Sequence, residues 1–411
     1  MSRSADPGHF FQTSSALSES ERKAKKSKNK LGDPIKLTSK LLAVAADPED
    51  NGCVYVAEAA GNVKRIALET SETTNAFAGP AAPLTSLAVS PKTSLLFAGC
   101  WDKSIWAWPL PSASTPSSTP ARGTPRFQNG HTDFVKALLA FSLGGRDLLV
   151  SGGADARIVV WDVETSAQLY ELKGHARGVL ALALDPASHT TRLSRQAPAV
   201  TLLSAGSDRE IRAWRITAER GRQIPVGSVG AEGEEEEEEA AGVVAPLIAH
   251  DTSVDALFFD ASDDLWTASA DRSAKCLSRG RSFQADTTLA HPDFVRDVVV
   301  DETGGWVATA CRDEGVRLWD KGSGELVHTF EGHFEEVTGL CLLDGQTLVS
   351  VSIDATVRRW SLKGTDVESA REEAERFRKG VVADEEGEAK KEGLLTEEEE
   401  RELAELMEED D

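Results

Sequence analysis

The amino-acid sequence predicts an all-β fold, a seven-bladed β-propeller, and three observations carry that prediction. A phrase of thirteen residues recurs along the chain, with an aspartate in its middle and, in most copies, a tryptophan at its end. The last two spacings between these aspartates are 42 and 41 residues, which is the period of propeller blades. Apolar and polar residues alternate within each copy, as they do in strands that pack one face on a neighbouring sheet.

Seven copies of the phrase can be aligned. The four clearest read LVSGGADARIVVW from Leu149, LLSAGSDREIRAW from Leu202, VATACRDEGVRLW from Val307 and LVSVSIDATVRRW from Leu348. Two weaker copies are LFAGCWDKSIWAW from Leu96 and LWTASADRSAKCL from Leu265, and the latter ends in Leu277 instead of tryptophan. A degenerate first copy, VYVAEAAGNVKRI from Val54, keeps the alternation but lacks the aspartate.

Three intervals between the aspartates exceed the blade period, and each contains an insertion. The aspartates are Asp102, Asp155, Asp208, Asp271, Asp313 and Asp354. The insertions are PSASTPSSTPARGT from Pro111, SHTTRLSRQAPA from Ser188 and a glutamate-rich acidic loop over residues 218–244. Removing the insertions restores the period, as expected if each blade is one repeat.

A second pattern precedes five of the copies, namely Gly-His or Ala-His followed by a segment ending in valine. It reads GHTDFV from Gly130, GHARGV from Gly174, AHDTSV from Ala249, AHPDFV from Ala290 and GHFEEV from Gly332. With both patterns in register, residues 32–362 resemble the WD40-repeat family. In that family the histidine, the serine or threonine, the aspartate and the tryptophan of a blade form a hydrogen-bonded chain, which we call a bracket.

The resemblance implies a bracket in four blades. Its residues are His131, Ser151, Asp155 and Trp161 in blade three, His175, Ser204, Asp208 and Trp214 in blade four, His291, Thr309, Asp313 and Trp319 in blade six, and His333, Ser350, Asp354 and Trp360 in blade seven. Serine, histidine and aspartate also form the catalytic triad of hydrolases, but an active site occurs once and this set recurs. We therefore assign the brackets a structural role and no catalytic role.

No other pattern in the chain points to catalysis. The sequence contains no phosphate-binding loop, zinc signature or nucleophile elbow, so we expect no enzyme, no cofactor, no metal and no small-molecule substrate. The five cysteines stand singly among strand-like residues, which predicts buried thiols rather than disulfides or metal ligands. No segment has the pattern of a signal peptide or a membrane span, so we expect an intracellular protein without membrane attachment.

The repeat pattern divides the chain into three parts. We expect residues 1–30 to be a disordered basic arm, residues 31–364 to be the propeller, and residues 365–411 to be an acidic helical tail. The alternating segment Ile35–Ser39 precedes the first blade, and no strand-like segment follows Lys363. Ile35–Ser39 should therefore form the outermost strand of blade seven and close the ring.

The net charge of −23 belongs mostly to the appendages. Residues 231–240 carry −7 and residues 361–411 carry −12, which leaves −4 for the rest of the chain. A body without a basic surplus argues against direct nucleic-acid binding. The acidic loop and the tail suit basic protein partners, although plain solvation also accounts for such charge runs. The run RKAKKSKNK from Arg22 is either a nuclear localisation signal or a solvated basic arm, and it favours the nucleus over the cytoplasm.

Two surfaces are candidates for protein binding. In WD40 proteins partners usually bind the loop rim, which is the edge that carries the loops before the innermost strands and the turns before the blade aspartates. The rim positions with hot-spot residue types are Trp101, Phe134, Phe294 and Arg312. Each aromatic could instead pack under its own loop. The second surface is one face of a predicted tail helix, formed by Leu403, Leu406 and Met407.

These features favour a non-catalytic protein-interaction scaffold, a subunit of a larger intracellular complex. The alternative is a substrate receptor of a cullin-type ubiquitin ligase. WD40 receptors of that kind often carry arginine two residues after a Trp-Asp pair. Here Trp161-Asp162 is followed by Val163-Glu164, and Trp319-Asp320 is followed by Lys321-Gly322, so the motif is absent.

Overall fold

The computed structural model describes residues 14–110, 121–189, 198–227, 244–343 and 346–376. Met1–Leu362 make up one compact unit, and Lys363–Asp411 make up a second. In the first unit the strands form seven sheets, and each innermost strand contacts the innermost strand of the next blade all the way round the ring. The seven-bladed propeller predicted from the sequence is confirmed.

The chain begins with helix α1 (Ser14–Lys26) and the short strand β1 (Ile35–Lys36), and blades one to three follow. Blade one, from its innermost strand outward, consists of β2 (Leu41–Ala46), β3 (Cys53–Glu58), β4 (Val63–Ala67) and β5 (Thr73–Ala78). Blade two consists of β6 (Leu84–Val89), β7 (Leu95–Cys100), β8 (Ile105–Pro109) and, after the short strand β9 (Ala121–Arg122), β10 (Thr124–Phe127). Blade three consists of β11 (Val135–Leu143), β12 (Arg146–Gly153), β13 (Arg157–Asp162) and β14 (Gln168–Lys173).

Blades four to seven have the same order of strands. Blade four consists of β15 (Val179–Leu184), β16 (Val200–Gly206), β17 (Glu210–Ile216), β18 (Gly221–Ile224) and β19 (Leu247–Ile248). Blade five consists of β20 (Val254–Phe259), β21 (Leu265–Ser269), β22 (Ser273–Ser278) and β23 (Gln284–Ala290). Blade six consists of β24 (Val295–Asp301), β25 (Trp306–Cys311), β26 (Val316–Asp320) and β27 (Leu326–Phe330). Blade seven consists of β28 (Val337–Leu343), β29 (Thr347–Ser352), β30 (Thr356–Ser361) and β1. Two 3-10 turns lie in loops, at Pro186–His189 and Arg279–Arg281.

The hydrophobic core lies between neighbouring blades. Inner strands such as β6 and β15 alternate buried and half-buried residues, as expected for sheets that pack on a neighbour. Between blades three and four, Val150, Val160, Val179 and Leu202 are buried in one apolar cluster. Burying a side chain of this size contributes about 1.5–3 kcal/mol. Packing between blades therefore supplies much of the stability that a single blade lacks.

Blade seven is completed by the N-terminal strand. β1 pairs antiparallel with β30, with Ile35 opposite Val357, and the Ile35 side chain is buried. The Leu31 carbonyl accepts a hydrogen bond from the Arg358 guanidinium, and the Gly32 carbonyl accepts one from the Arg359 backbone N–H at 2.9 Å. Closure of the ring through the segment that begins at Ile35 is confirmed, although the paired strand ends at Lys36.

Two insertions contribute strands at their ends. β18 pairs with the second half of β17, and β19 pairs with the first half, so the glutamate-rich insertion interrupts the outermost strand of blade four. The predicted acidic loop of residues 218–244 is therefore wrong at its start, because it includes β18. β9 pairs in parallel with β5 of blade one, and β10 pairs with β8 of blade two. A free strand edge can pair with a short backbone segment whatever side chains that segment carries. The loop-like composition of the two insertions therefore did not indicate β9 or β18.

The N-terminal arm differs from the prediction of disorder. Ser14–Lys26 form α1, and Arg22 and Lys26 are ion-paired with Glu314 of blade six. The low hydropathy of this segment correctly indicates that it contributes no apolar core. Hydropathy does not indicate whether its charged side chains form ion pairs with the propeller. Residues 1–13 lie outside the described part of the chain.

In the second unit, residues 364–376 form helix α2. Its surface carries the i,i+4 pair Glu372–Arg376, with 3.0 Å between the charged atoms. The helix begins at Gly364, and the Lys363 carbonyl accepts from the Val367 N–H at 3.0 Å. The expected helical character of the tail is confirmed over these residues, whereas the predicted helix that carries Leu403, Leu406 and Met407 lies outside the described residues.

Ring closure gives a test of stability by truncation. A chain that starts at residue 41 should unfold at a free energy lower by about 3 kcal/mol or more than a chain that starts at residue 31, because it loses Ile35 burial and the carbonyl partner of Arg358. Removing residues 1–30 alone should cost less, since no described side chain of α1 is buried and Glu314 becomes accessible to water when its partners are removed. Urea unfolding measures both. Equal stability of the two truncated chains would contradict closure by β1.

Candidate functional site, the blade brackets and the loop rim

The bracket of blade three is complete. The Trp161 indole N–H donates to the Ser151 hydroxyl at 2.9 Å, and that hydroxyl lies 2.7 Å from His131 Nε2. His131 Nδ1 lies 3.1 Å from an Asp155 carboxylate oxygen. These contacts are satisfied together by a neutral imidazole that accepts from serine at Nε2 and donates to aspartate at Nδ1. Burial agrees with this assignment, because it lowers the pKa of His131.

Blades four and seven repeat this geometry. Histidine Nε2 lies 2.7 Å from Ser204 and 2.8 Å from Ser350, and the tryptophan N–H donates to the same hydroxyls at 2.7 and 2.9 Å. Histidine Nδ1 lies 2.9 Å from Asp208 in blade four and from Asp354 in blade seven. The structure thus brings together all four predicted bracket residues in blades three, four and seven.

The bracket aspartate also holds the adjacent loops. It accepts from the backbone N–H of the residue that follows the histidine, which is Thr132 at 2.8 Å, Ala176 at 2.8 Å and Phe334 at 3.2 Å. Burial alone would raise the pKa of the Asp208 carboxyl, but the hydrogen bonds from His175 and the Ala176 N–H outweigh it and lower the pKa to about 2. The aspartate therefore stays ionised and ties the loop rim to the core.

The predicted bracket of blade six is wrong at its aspartate. His291 Nε2 lies 2.8 Å from the Thr309 hydroxyl, and Trp319 donates to that hydroxyl at 2.9 Å, as expected. His291 Nδ1, however, lies 3.0 Å from the Leu289 carbonyl, and Asp313 instead accepts from the Arg317 guanidinium at 3.0 Å.

Proline at position 292 accounts for the difference in blade six. In the other brackets the aspartate accepts from the N–H that follows the histidine, and Pro292 has no N–H to donate. Asp313 loses that anchor and turns to Arg317, so His291 is left without a carboxylate. Burial lowers the pKa of His291 to about 4. The dipeptide His-Pro in AHPDFV is the sequence signal that could have predicted this.

Blade five contains a bracket that we did not assign from the sequence. His250 Nε2 lies 2.7 Å from the Thr267 hydroxyl, and His250 Nδ1 lies 2.8 Å from Asp271. Leu277 occupies the tryptophan position and is buried. Both halves of the pattern were visible as AHDTSV and LWTASADRSAKCL, and only the missing tryptophan argued against it.

The same groups can be examined as metal ligands. His175, Asp208 and Glu210 offer three ligand atoms within 4.8 Å of one another, the one such group found among the described residues. His175 is engaged at both ring nitrogens, and Glu210 is bound by the Arg212 guanidinium at 2.6 Å. Because each ligand atom already has a partner, we assign this group to the bracket of blade four.

The five cysteines are free thiols, and all but the half-buried Cys341 are buried. Burial raises the pKa of Cys100, Cys276 and Cys311 to about 12, so these thiols remain protonated at neutral pH. The prediction of buried, unpaired thiols is confirmed for four of them.

On the loop rim the structure pairs the predicted residues two by two. Trp101, in the turn of blade two, stacks on Phe134, in the loop before blade three, with ring centroids 4.8 Å apart and planes 12° apart. The Lys136 ammonium lies 5.6 Å from the Trp101 ring centroid. Trp101 nevertheless keeps 40% of its surface exposed. It packs on the next blade and not under its own loop.

The second pair lies within blade six. The Arg312 guanidinium lies 5.2 Å from the centroid of the Phe294 ring, and the Arg312 N–H donates to the Phe294 carbonyl at 2.9 Å. Arg312 is exposed and Phe294 is half-buried. Leu403, Leu406 and Met407 lie outside the described residues, so the tail surface stays a prediction.

Charged side chains that the sequence did not single out stand at the start of the innermost strands. The Arg296 guanidinium donates to Glu336 and lies 3.5 Å from Asp255. Burial raises the pKa of Asp255 to about 6 against the opposing effect of Arg296. Burial also lowers the pKa of Lys136. Their distant positions in the chain gave no hint that these four residues meet.

An aspartate that binds the blade histidine and one that does not should differ in how much the unfolding free energy falls when they are replaced. Asp354→Ala removes the carboxylate that accepts from His333 Nδ1, from the Thr356 hydroxyl and from the backbone N–H groups of Phe334 and Thr356, which should cost about 2–4 kcal/mol. Asp313→Ala/Arg317→Ala removes both members of one ion pair and no histidine partner, so it should cost less, about 1 kcal/mol. Urea unfolding of both variants measures the difference, and equal costs would contradict the assignment in blade six.

His291 predicts a pH dependence of stability. Its folded pKa of about 4 lies below the ordinary value of 6.5, so the unfolded chain takes up a proton first and stability is lost as pH falls from about 6.5 to about 4. The loss should be about 3 kcal/mol over that window. His291→Gln should flatten the pH slope of the unfolding free energy, whereas His328→Gln in β27 should not. An unchanged slope in His291→Gln would overturn the assignment.

Within the described residues, no helix combines the length and hydropathy needed to cross a membrane. A search of family models matches the WD domain, G-beta repeat, to residues 71–109, 123–162, 166–215, 284–320 and 324–361. The inner three strands of blade one and of blade five, whose repeats are degenerate, lie outside these matches, and only their outermost strands β5 and β23 fall within them.

Similar proteins agree with this match. Uncharacterized WD repeat-containing protein C126.01c of Schizosaccharomyces pombe is 33% identical over 372 residues, which cover 87% of this chain and 89% of that protein. WD repeat-containing protein 37 of Homo sapiens is 26% identical, and the match covers 53% of this chain and 46% of that protein. The crystal structure of the WD40 β-propeller domain of Doa1 has a TM-score of 0.60 at 20% identity, over 82% of this chain and 98% of that one. The chain belongs to the WD40-repeat family.

Proposed function

We propose that this protein is a non-catalytic scaffold whose loop rim binds other proteins within a larger intracellular complex. The observation that carries the proposal is the stacked pair Trp101–Phe134, an aromatic surface that remains open to solvent although Trp101 has a packing partner. WD40 propellers generally act as platforms for protein interactions. The proposal assigns that role to particular residues.

The chemistry of the rim pairs suits protein recognition. Tryptophan and arginine are the residue types most enriched among hot spots, and a half-exposed tryptophan offers a large apolar area at small cost in conformational entropy. Lys136 beside Trp101, and Arg312 beside Phe294, add cations next to the aromatic faces. A partner with acidic and apolar side chains would match both pairs.

The brackets support this role, because an interface needs loops that are already in place before binding. Each bracket aspartate that accepts from a loop N–H fixes the path of the chain just before an innermost strand. Phe134 stands two residues after Thr132 in such a loop. The same repetition in several blades supports a structural use of serine, histidine and aspartate rather than catalysis.

Two finer parts of the proposal rest on the sequence. The acidic insertion and tail are proposed to attract basic proteins, and the run from Arg22 is proposed to favour a nuclear location. The absence of arginine after the Trp-Asp pairs gives no support to a ubiquitin-ligase receptor, so the scaffold is the function proposed.

Alanine replacement of the rim residues tests the proposal. The variant Trp101→Ala/Phe134→Ala/Phe294→Ala/Arg312→Ala should keep its fold and lose partners, since loss of one hot-spot residue typically costs about 2 kcal/mol, roughly thirtyfold in affinity. Quantitative pull-downs from cell extract measure recovery. Ile248→Ala/Leu326→Ala is the matched control, because both side chains are large, apolar and exposed but lie on outer strands.

A third arm, Leu403→Asp/Leu406→Asp/Met407→Asp, tests the tail surface in the same assay. Recovery that falls in the rim variant and not in the control supports the rim. Undiminished recovery of every partner by both the rim and the tail variants would overturn the proposed binding surfaces.

A further inference from the structure

One turn position of the repeat carries a side chain that the fold does not require. The residue after each blade aspartate has a positive φ, and it is Lys103 at 74°, Ala156 at 65°, Arg209 at 64°, Arg272 at 68°, Glu314 at 75° and Ala355 at 62°. The turn therefore accepts small and basic residues in five blades. Blade six alone among these turns carries an acid, so Glu314 serves something other than the turn.

The Glu314 carboxylate is bound by helix α1. Its two oxygens accept from Arg22 Nη1 and Nη2 at 2.7 and 2.6 Å, and Lys26 Nζ donates at 2.8 Å. Only 8% of the Glu314 side chain is exposed. Burial would raise its pKa, but the hydrogen bond from Arg22 and that from Lys26 outweigh burial and lower it. A bidentate guanidinium with a second cation is a strong and directional arrangement for a carboxylate.

A second acid extends the contact to blade seven. Lys23 Nζ donates to Glu335 at 2.8 Å, and Glu335 lies in the loop before β28. Arg22 and Lys26 are four residues apart and share one helix face with Lys23 beside them. Three cations of α1 thus meet two acids, Glu314 of blade six and Glu335 of blade seven.

We expect the contact between α1 and the two acids to be reversible. No side chain described in α1 is buried, so the helix docks through charge and not through apolar packing. A helix of thirteen residues is marginal on its own in water, so docking to the rim is what stabilises it. The ion pairs weaken as salt rises, because the cations of α1 remain partly exposed to solvent.

The tether of α1 is independent of the contact. The Asn29 side-chain amide donates to the Glu331 carbonyl at 2.9 Å, and the Leu31 and Gly32 carbonyls bind Arg358 and Arg359 of blade seven. These bonds keep α1 near the rim even when it is released, at an effective concentration of about millimolar. Release of α1 therefore leaves ring closure intact.

We propose that Glu314 and Glu335 form an acceptor site for a basic helix, which α1 fills in cis and which a basic helix of a partner protein fills by displacing α1. This inference deepens the proposed function, since it adds a site and its regulation to the loop rim. Glu314 stands two residues after Arg312 in the same turn, so the acceptor site adjoins the rim residues of blade six.

Docking in cis is tested first by amide hydrogen exchange on the full chain. Glu314→Gln should speed exchange in residues 14–26 at least tenfold, because the released helix is marginal on its own. Glu325→Gln, an exposed acid of the same blade, is the matched control and should leave exchange unchanged. Equal protection of residues 14–26 in Glu314→Gln and in the wild type would overturn docking by Glu314.

Binding in trans is tested with a fluorescent peptide of residues 14–30 and the full chain. The variant Arg22→Gln/Lys26→Gln should empty the site and bind the peptide at least tenfold more tightly than the wild type, because α1 no longer competes. Adding Glu314→Gln to this variant should abolish the gain. Lys25→Gln/Lys28→Gln, an equal loss of two charges in α1 and just after it at residues with no ion pair in the described part of the chain, should behave as the wild type.

The outcomes separate this inference from the proposed function. If Lys25→Gln/Lys28→Gln binds the peptide as tightly as Arg22→Gln/Lys26→Gln, or if Glu314→Gln leaves the gain intact, the peptide responds to net charge and the acceptor site is wrong. Trp101→Ala should leave peptide binding unchanged whether or not it loses protein partners. Failure of the aromatic rim and failure of the acidic site are thereby distinguished.

Discussion

The hydrogen bond between a buried serine or threonine hydroxyl and the blade histidine is the contact on which the loop rim depends. It recurs in blades three to seven at 2.7–2.8 Å. The hydroxyl belongs to the second strand of a blade, and the histidine belongs to the loop before the first. Because the histidine donates its single ring N–H to the aspartate in four of these blades, a core hydroxyl and a rim turn are joined in one chain of hydrogen bonds.

The hydrogen-bonded bracket could be predicted in the blades where the repeat pattern is uninterrupted. The resemblance to the WD40-repeat family, carried over position by position, predicted every member of the bracket in blades three, four and seven, because the repeat pattern is complete there. The prediction was wrong for blade six, where Pro292 has no backbone N–H. The consequence of that missing N–H becomes clear only when its acceptor in the other blades, the bracket aspartate, is known. The prediction also understated blade five, because Leu277 fills the space of tryptophan without a hydrogen bond to the hydroxyl.

The contacts of α1 could not be predicted from the sequence. Arg22 and Glu314 are separated by 292 positions, and neither shows a pattern that names the other. Composition identifies a basic arm and an acidic protein. It does not indicate which turn carries the acidic side chain that pairs with the arm, or how that side chain is oriented. The rim pair Trp101–Phe134 is intermediate, since the repeat placed both residues on the rim and only the structure stacked them across two blades.

The central claim is that bracket aspartates hold the rim loops to the core, and amide hydrogen exchange at one position tests it most directly. The Ala176 N–H lies in an exposed loop and donates to Asp208. It should exchange slowly in the wild type and lose its protection in Asp208→Ala, while the amides of β16 keep theirs. Equal protection of the Ala176 amide in both proteins would contradict the claim, because the loop would then be held by something other than the bracket.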